Sequence, residues 1–456
     1  MESTKEIQDK KLNARLYPIY KMLSWDLLFY YSIIYLFLTQ AKHFSASQVL
    51  LGEAFFTASC LIVQIPIGLL VDRVGKKNSL VIANICMCIF SIILIFAQNF
   101  THLLLAFFID AIGYVIKGVC ETNILYDSLP TGKKRGGLYS SIDGLAVSRY
   151  YTIDAITSLI AGFTFVLNPY IPIILCLVAN ILATILSTRF KSIKLPDNQK
   201  EKKETPTQYF KQLKNAIRFA KKSTRVKCLL IFFGVMSALI YNMTSIRSSV
   251  LEQIQLPEQY FGIVFAISQI AASMCSRAQN VIHKRFRNTT LAHLGIPLTI
   301  SCILIGFLSM IGNGFTSTFM IILLFVVQGA IKGPYNVLIY RYLNNFTNVN
   351  IRTKLATVRS ILYSICTIIL SLFGALLLHY TTASNTILII GCMSTIAMIL
   401  LLDYMRGKVG LKPDKYNKED LKYSQLQKNI IEKDVIICYN NIKLSNGNQL
   451  LKGVTL

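Results

Sequence analysis

The chain has 456 residues, of which 53% are hydrophobic and only 15% charged, and its formal net charge is +25. Soluble domains carry roughly 25% charged residues, so a water-soluble globular protein is excluded. The positive charge lies in short segments between apolar runs and not on one soluble face, which argues against nucleic-acid binding and for membrane orientation and anionic lipid as its origin.

A helix needs about 20 mostly apolar residues to cross a hydrocarbon core roughly 30 Å thick. In chain order, such stretches occur at Pro18–Gln40, Ser47–Val71, Ser79–Ala97, Leu103–Leu125, Ile142–Leu167 and Tyr170–Ser187. The first has no small-residue cleavage site and is read as a retained helix. A polar, Lys-rich stretch from Arg189 to Arg225 follows. Spans then resume at Val226–Ser245, Tyr260–Ile282, Leu291–Ile311, Ser317–Tyr340, Val358–Leu378 and Thr386–Leu402. The expectation is an all-α polytopic membrane protein of about twelve transmembrane helices in two halves of six.

Basic residues test this parsing, because cytoplasmic loops are rich in Lys and Arg. The first connection holds only Lys42, the second holds Arg73, Lys76 and Lys77, the third none, and the fourth Lys133, Lys134 and Arg135. Asn168 and Pro169 are uncharged, whereas the middle segment, Lys284 to Arg287, and Arg352 to Arg359 are basic. This alternation places both termini in the cytoplasm. The expected units are residues 1–188, a basic cytoplasmic linker at 189–225, residues 226–404, and a cytoplasmic tail at 405–456. The 11 cysteines are scattered without metal-ligand or disulfide spacing, so no metal and no cofactor are expected.

Between spans two and three stands GLLVDRVGKKNSL, Gly68 to Leu80. Gly68 permits close helix approach, Gly75 a tight turn, and Asp72 sits among Arg73, Lys76 and Lys77. The stretch resembles the signature loop of the major facilitator superfamily, matching it at Gly68, Leu70, Asp72, Arg73, Gly75, Lys76 and Lys77. That resemblance implies two six-helix bundles that rock about a central cavity, with this loop as a cytoplasmic latch gated by Asp72. The corresponding SRAQNVIHKRFRN of the second half keeps the basic cluster without the glycines and the aspartate.

A charge at the centre of a membrane helix costs about 2.5–3.5 kcal/mol on insertion scales, so such residues usually face a bundle interior. Asp110 and Lys117 are seven apart and Lys117 and Glu121 four apart, which places all three on one face of helix four. Asp127 lies at the cytoplasmic end, where water can solvate it. Helix five adds Asp143 and Asp154 on one face and Arg149 on another; Asp26 and Trp25 stand in helix one, Glu53 in helix two, Arg277 in helix eight and Lys332 in helix ten. Two readings of these charges stand side by side. Lys117 with Glu121, and Arg149 with Asp154 or Glu53, form packing ion pairs; or Asp110 and Glu121, with Asp26 or Glu53, carry coupling protons or bind a cationic substrate. Most membrane tyrosines are expected at boundaries or in packing, and Gly333-Pro334 is expected to break or kink helix ten.

The phrase CETNILYDSLP, through Glu121, Tyr126, Asp127, Ser128 and Leu129, also resembles fourth-helix sequences of a bacterial efflux branch of the superfamily. Helix four carries Lys117 where many members have arginine, and helix five keeps Gly162 without the repeated glycine pattern of many antiporters. The C-terminal DVIICYNNIKLSNGNQLLKGVTL reads as a β-hairpin turning at Ser445, Asn446 and Gly447, and resembles the opening strands of an ABC ATPase domain with Tyr439 near the adenine. No phosphate-binding loop accompanies it. No Ser-His-Asp, metal or nucleotide constellation supports an enzyme. The leading expectation is proton-coupled efflux of an amphipathic compound across a bacterial cytoplasmic membrane. Import of a nutrient, and a membrane anchor for a cytosolic partner docking on the linker and tail, stay open beside it.

Overall fold

The computed structural model describes residues 4–130, 135–193, 206–286, 289–312, 314–345 and 349–409. The C-terminal stretch read as a hairpin or ATPase start lies outside the described residues. Among them, 11 helices are long and apolar enough to cross a membrane, and the chain is an all-α multi-pass membrane protein. Side-chain polarity runs opposite to that of a soluble protein. Ile85, Ile89, Ile92 and Phe96 on one helix, and Ile396, Ile399 and Leu400 on another, face outward, while Asn84, Asn180 and Asn242 are buried. Lipid tails accept the apolar outer surface, and the interior amides must then be hydrogen-bonded. Asn84 Nδ2 accordingly donates to the Tyr20 hydroxyl at 2.9 Å, and Asn242 Oδ1 accepts from Ser371 Oγ at 2.7 Å.

The elements in chain order begin with α1 (Thr4–Ser24), α2 (Ile34–Leu36) and a π turn (Phe37–Ala41). There follow α3 (Ala46–Val74), α4 (Lys76–Phe96), α5 (Phe100–Ser128), α6 (Arg135–Leu167) and α7 (Tyr170–Arg189). The middle segment contributes α8 (Pro206–Lys222). The remaining helices are α9 (Thr224–Gln253), α10 (Gln259–Arg277), α11 (Gln279–Phe286), α12 (Thr290–Ile311), α13 (Phe315–Asn345), α14 (Val349–Tyr380) and α15 (Ala383–Met405).

Local chemistry sets several of these boundaries. Ser45 and Gln48 form a capping box at the start of α3, Asn99 caps α5 through the His102 N–H at 3.0 Å, and Ser223 caps α9 through the Val226 N–H at 3.2 Å. Gly75, at φ 89°, ends α3 and admits α4 directly; a side chain would strain that backbone. In α8, Leu213, Ala216, Phe219 and Ala220 recur at helical spacing and are buried, so this basic linker helix packs its apolar stripe on α9 and α14.

Helices α3 to α7 pack among themselves and with α1, whereas α9, α10 and α12 to α15 form a second group. The groups meet where α3 packs on α14 and α6 on α10. Gly162 and Gly262 stand face to face at the α6–α10 crossing: a Cβ on Gly162 would meet the Gln259 carbonyl oxygen at 2.8 Å and the Gly262 Cα at 3.1 Å. Both glycines lie near the end where α6 finishes and α10 begins. The basic residues of the α3–α4 turn mark the opposite end as the cytoplasmic one, so this crossing is on the outer side.

Three expected boundaries are corrected, and of the break or kink expected at Gly333-Pro334 the break is excluded. The first span is not one helix: α1 stops at Ser24 and regular structure resumes only at Ile34. The seventh span passes Ser245 and continues to Gln253, and the eighth breaks at Ala278, before the expected Ile282. Helix α13 runs through Gly333 and Pro334 without ending, and Gly333 is instead the place where it presses against the Ala272 backbone of α10.

Candidate functional site

The site begins at the interruption of the first crossing. Asp26 Oδ1 accepts from the Leu27 backbone N–H at 3.0 Å and from the Tyr31 hydroxyl at 2.7 Å, and Phe29 adopts φ 61°. A short carboxylate that bonds its own backbone competes with the helical ladder, and a bulky residue in the left-handed region marks a strained turn held by its surroundings. The chain nevertheless spans the bundle. Asn13 Nδ2 reaches Ser128 Oγ at 3.1 Å near the inner end, and Lys42 Nζ reaches the Ile95 carbonyl at 2.5 Å at the outer end.

The interruption frees carbonyl groups at the end of α1, where the helix dipole is negative. Lys117 of α5 donates its ammonium to the Ser24 carbonyl there. This contact corrects the ion pair expected between Lys117 and Glu121. Lys21 pairs with Asp143 and Lys76 with Asp127, while Glu121 Oε1 accepts from Ser24 Oγ at 3.4 Å, with Lys117, Lys21 and the Tyr20 hydroxyl also acting on it. Asp110, Lys117 and Glu121 are all buried, at 7%, 4% and 5% exposure. Asp110 makes no hydrogen bond or ion pair with the described residues, while it lies within electrostatic reach of Asp26 and Lys117.

The remaining candidates separate. Asp154 of α6 is buried and accepts from Gln269 Nε2 of α10 at 3.1 Å, across the two helix groups. Glu53 of α3 accepts from Ser245 Oγ of α9, again across the groups, and its Oε2 is buried with no hydrogen-bond partner. Arg149 is exposed and pairs with neither Asp154 nor Glu53, which corrects that expectation. Asp143 accepts from Lys21 Nζ at 2.5 Å and the Tyr17 hydroxyl at 2.8 Å, and so belongs to an inner packing cluster. Trp25, the one tryptophan of the sequence, sits at the interruption with its ring 4.9 Å from Tyr150 and 5.4 Å from Tyr151.

In the second group a narrow cleft is lined by Thr244, Arg247, Phe265, Gln269, Gln328 and Lys332, among others. Lys332 is within electrostatic reach of Asp154 and Asp26, so the cleft and the interruption face one another. Lys117 apart, carboxylates thus line the first-group side and cations the second.

A sequence-family model described as Major Facilitator Superfamily matches residues 22–315, from the last turn of α1 to the start of α13. The chain belongs to this superfamily. It is a transporter of the secondary active type and not an enzyme. Its fold is similar to that of solved transporters of low sequence identity. A nucleoside transporter, NupG, aligns with TM-score 0.71 and 12% identity over 87% of this chain and 99% of its own. A POT family transporter, PepTSo, gives 0.64 and 12% over 90% and 99%, and a D-xylose-proton symporter gives 0.61 and 12% over 87% and 97%. Comparison with curated protein sequences gives no match.

In this major facilitator protein the signature loop is built as a turn. Gly68, Asp72 and Arg73 lie on the final turns of α3, Gly75 is the hinge, and Lys76 and Lys77 open α4. Lys76 Nζ pairs with Asp127 Oδ2 at the end of α5 at 2.6 Å. Asp127, expected to be solvated, therefore ties the loop to the helix that carries Glu121. The named side-chain bonds joining the two groups lie toward the outer end or the middle: Tyr35 OH to Glu252 Oε2 at 2.9 Å, Thr39 Oγ1 to Glu252 Oε1 at 3.3 Å, and Ser47 Oγ to the Ala375 carbonyl at 2.8 Å. In alternating-access terms the outer side is the closed one.

Sequence reading missed Arg247, Gln269, Gln328 and the Lys21–Asp143 pair. For Arg247 the signal was present: SIRSSV keeps helical apolar spacing past the charge, with Ile246 and Val250 both fully buried.

Proposed function

We propose that this transporter couples proton movement to translocation of a small amphipathic solute, with Glu121 and Asp110 as the proton-handling pair beside the interrupted first crossing. One observation carries this reading: both carboxylates are buried in α5 without an ion-pair partner among the described residues. A carboxylate whose charged and neutral partners change as the two helix groups rock gains and loses its proton with that motion. Glu53 and Asp154 bridge the groups and would sense the same motion. Export across a bacterial cytoplasmic membrane is the direction we favour, supported by the likeness of CETNILYDSLP to efflux-branch sequences. Import is the second reading, supported by the fold likeness to nucleoside and xylose transporters.

The test uses efflux-deficient bacterial cells expressing the full chain, exposed to fluorescent amphipathic cations, acids and zwitterions with and without a protonophore. Protonophore-sensitive depletion that is lost in Glu121→Gln and Asp110→Asn, at unchanged protein level, is the expected result. Protonophore-sensitive accumulation would transfer the coupling scheme to import. Transport in both variants indistinguishable from the unmodified chain would refute the proton-handling assignment.

A further inference from the structure

We infer that Arg247 and Lys332 form an anion subsite, and that the transported solute carries a single carboxylate that docks there. The inference rests on the transporter reading above and names the class of its solute.

Arg247 lies in the last third of α9, the most enclosed of the spans, with 67% of its apolar stretch buried. Its guanidinium lies over the Phe265 ring at 5.0 Å and the Phe325 ring at 5.9 Å. Aromatic faces hold the guanidinium without consuming its N–H donors. Among the described residues it makes no ion pair. Lys332, one helix away on α13, lines the same cleft and feels the positive charge of Arg247. Two cations in one membrane-embedded cleft repel each other and require counter-charges; Asp154 and Asp26 answer Lys332, which leaves Arg247. The neighbouring polar groups do not supply its counter-charge. Gln269 donates its amide to Asp154 at 3.1 Å, and Gln328 donates to Ser301 Oγ at 2.9 Å.

The charge of the missing partner is bounded from the opposite wall. Asp154 and Asp26 already act on Lys332 from the first group, so a doubly negative group would meet repulsion there. A single negative charge matches Arg247, the one of the two cations with no counter-ion among the described residues. Planar carboxylate geometry suits the guanidinium fork, and the rings of Phe265 and Phe325 accept an apolar body beside it.

The test is ligand binding by the purified full chain in detergent, read by thermal shift and by Trp25 emission. The probes are matched sets: L-phenylalanyl-L-alanine with its C-terminal amide and its N-acetyl form, octanoate with octanamide, and phenyl phosphate. At least one free carboxylate should stabilise the protein at concentrations roughly 10- to 100-fold below those its amide needs, as expected for a charge-assisted hydrogen bond. Arg247→Gln should abolish that preference and Arg247→Lys should retain part of it; Lys332→Met gives an independent second loss. The inference is overturned if no carboxylate in the set stabilises the wild-type chain, if acid and amide bind alike, if phenyl phosphate binds tightest, or if Arg247→Gln keeps the preference for the acid. Because binding is read without a membrane or a gradient, carboxylate binding with uncoupled transport would sink the proton scheme alone. Proton-driven transport of cations that is indifferent to Arg247 would sink the subsite alone.

Discussion

Adding one methyl group at the α6–α10 crossing should shift this transporter toward its outward-open state. In Gly162→Ala the new Cβ would stand 2.8 Å from the Gln259 carbonyl oxygen, 3.1 Å from the Gly262 Cα and 3.2 Å from the Gly262 nitrogen. Every one of these atoms is backbone, so no rotamer change can relieve the overlap, and the helices must separate. Overpacking of this kind costs about 1–3 kcal/mol. The cost falls only on the state in which the outer ends are closed. Inward-facing and outward-facing populations should therefore shift by roughly 5- to 150-fold relative to each other. Gly144→Ala, on the same helix with nothing within 4 Å of its Cβ, is the matched control and should leave the balance unchanged. Pulsed electron paramagnetic resonance between spin labels at Gln98 and Tyr380, both exposed and near the outer end, reads the separation in a cysteine-free background. A longer distance population in Gly162→Ala but not in Gly144→Ala is expected. An unchanged distribution in a stably folded Gly162→Ala protein would refute the claim that these glycines set the outer closure.

Two further predictions concern the inner side. Lys21→Met removes one member of the 2.5 Å Lys21–Asp143 pair and leaves Asp143 with the Tyr17 hydroxyl. Loss of one partner from a buried pair costs about 3–5 kcal/mol, and because Asp143 is 25% exposed the lower end applies. Unfolding in detergent should show a clear loss of stability, and an unchanged melting profile would contradict it. The Lys76–Asp127 pair is more exposed, at 38% and 14%, and should contribute about 1 kcal/mol or less to stability. A double-mutant cycle of Lys76→Gln and Asp127→Asn in thermal unfolding measures that coupling; a value of several kcal/mol would mean that the pair is a structural staple and not a reversible latch.

Much of the architecture was legible because membrane insertion responds to local composition. Apolar runs such as Leu103–Leu125 and Ile142–Leu167 became helices, and Gly75 became the turn its place in the motif implied. The face shared by Asp110, Lys117 and Glu121 followed from helical spacing alone, since α5 is regular throughout. The partners of those charges did not follow.

Lys117 was read against its neighbour Glu121, four residues away, but it caps the end of α1, 93 residues away in the chain. That end exists only because the first crossing is interrupted, and the interruption depends on Asp26 and Tyr31 bonding to each other inside a packed bundle. Composition alone makes Pro18–Gln40 one apolar span. Arg247 shows the same limit: a charge near a span's expected end reads as a boundary, and only the packing of Phe265 and Phe325 around it makes it interior. The sequence by itself determined which segments enter the membrane and which residues carry charge into it, because those depend on neighbours along the chain. Tertiary structure decided which charges meet, which stay without a counter-ion and where the two groups of helices close, because those contacts join residues that only folding brings within a few ångströms.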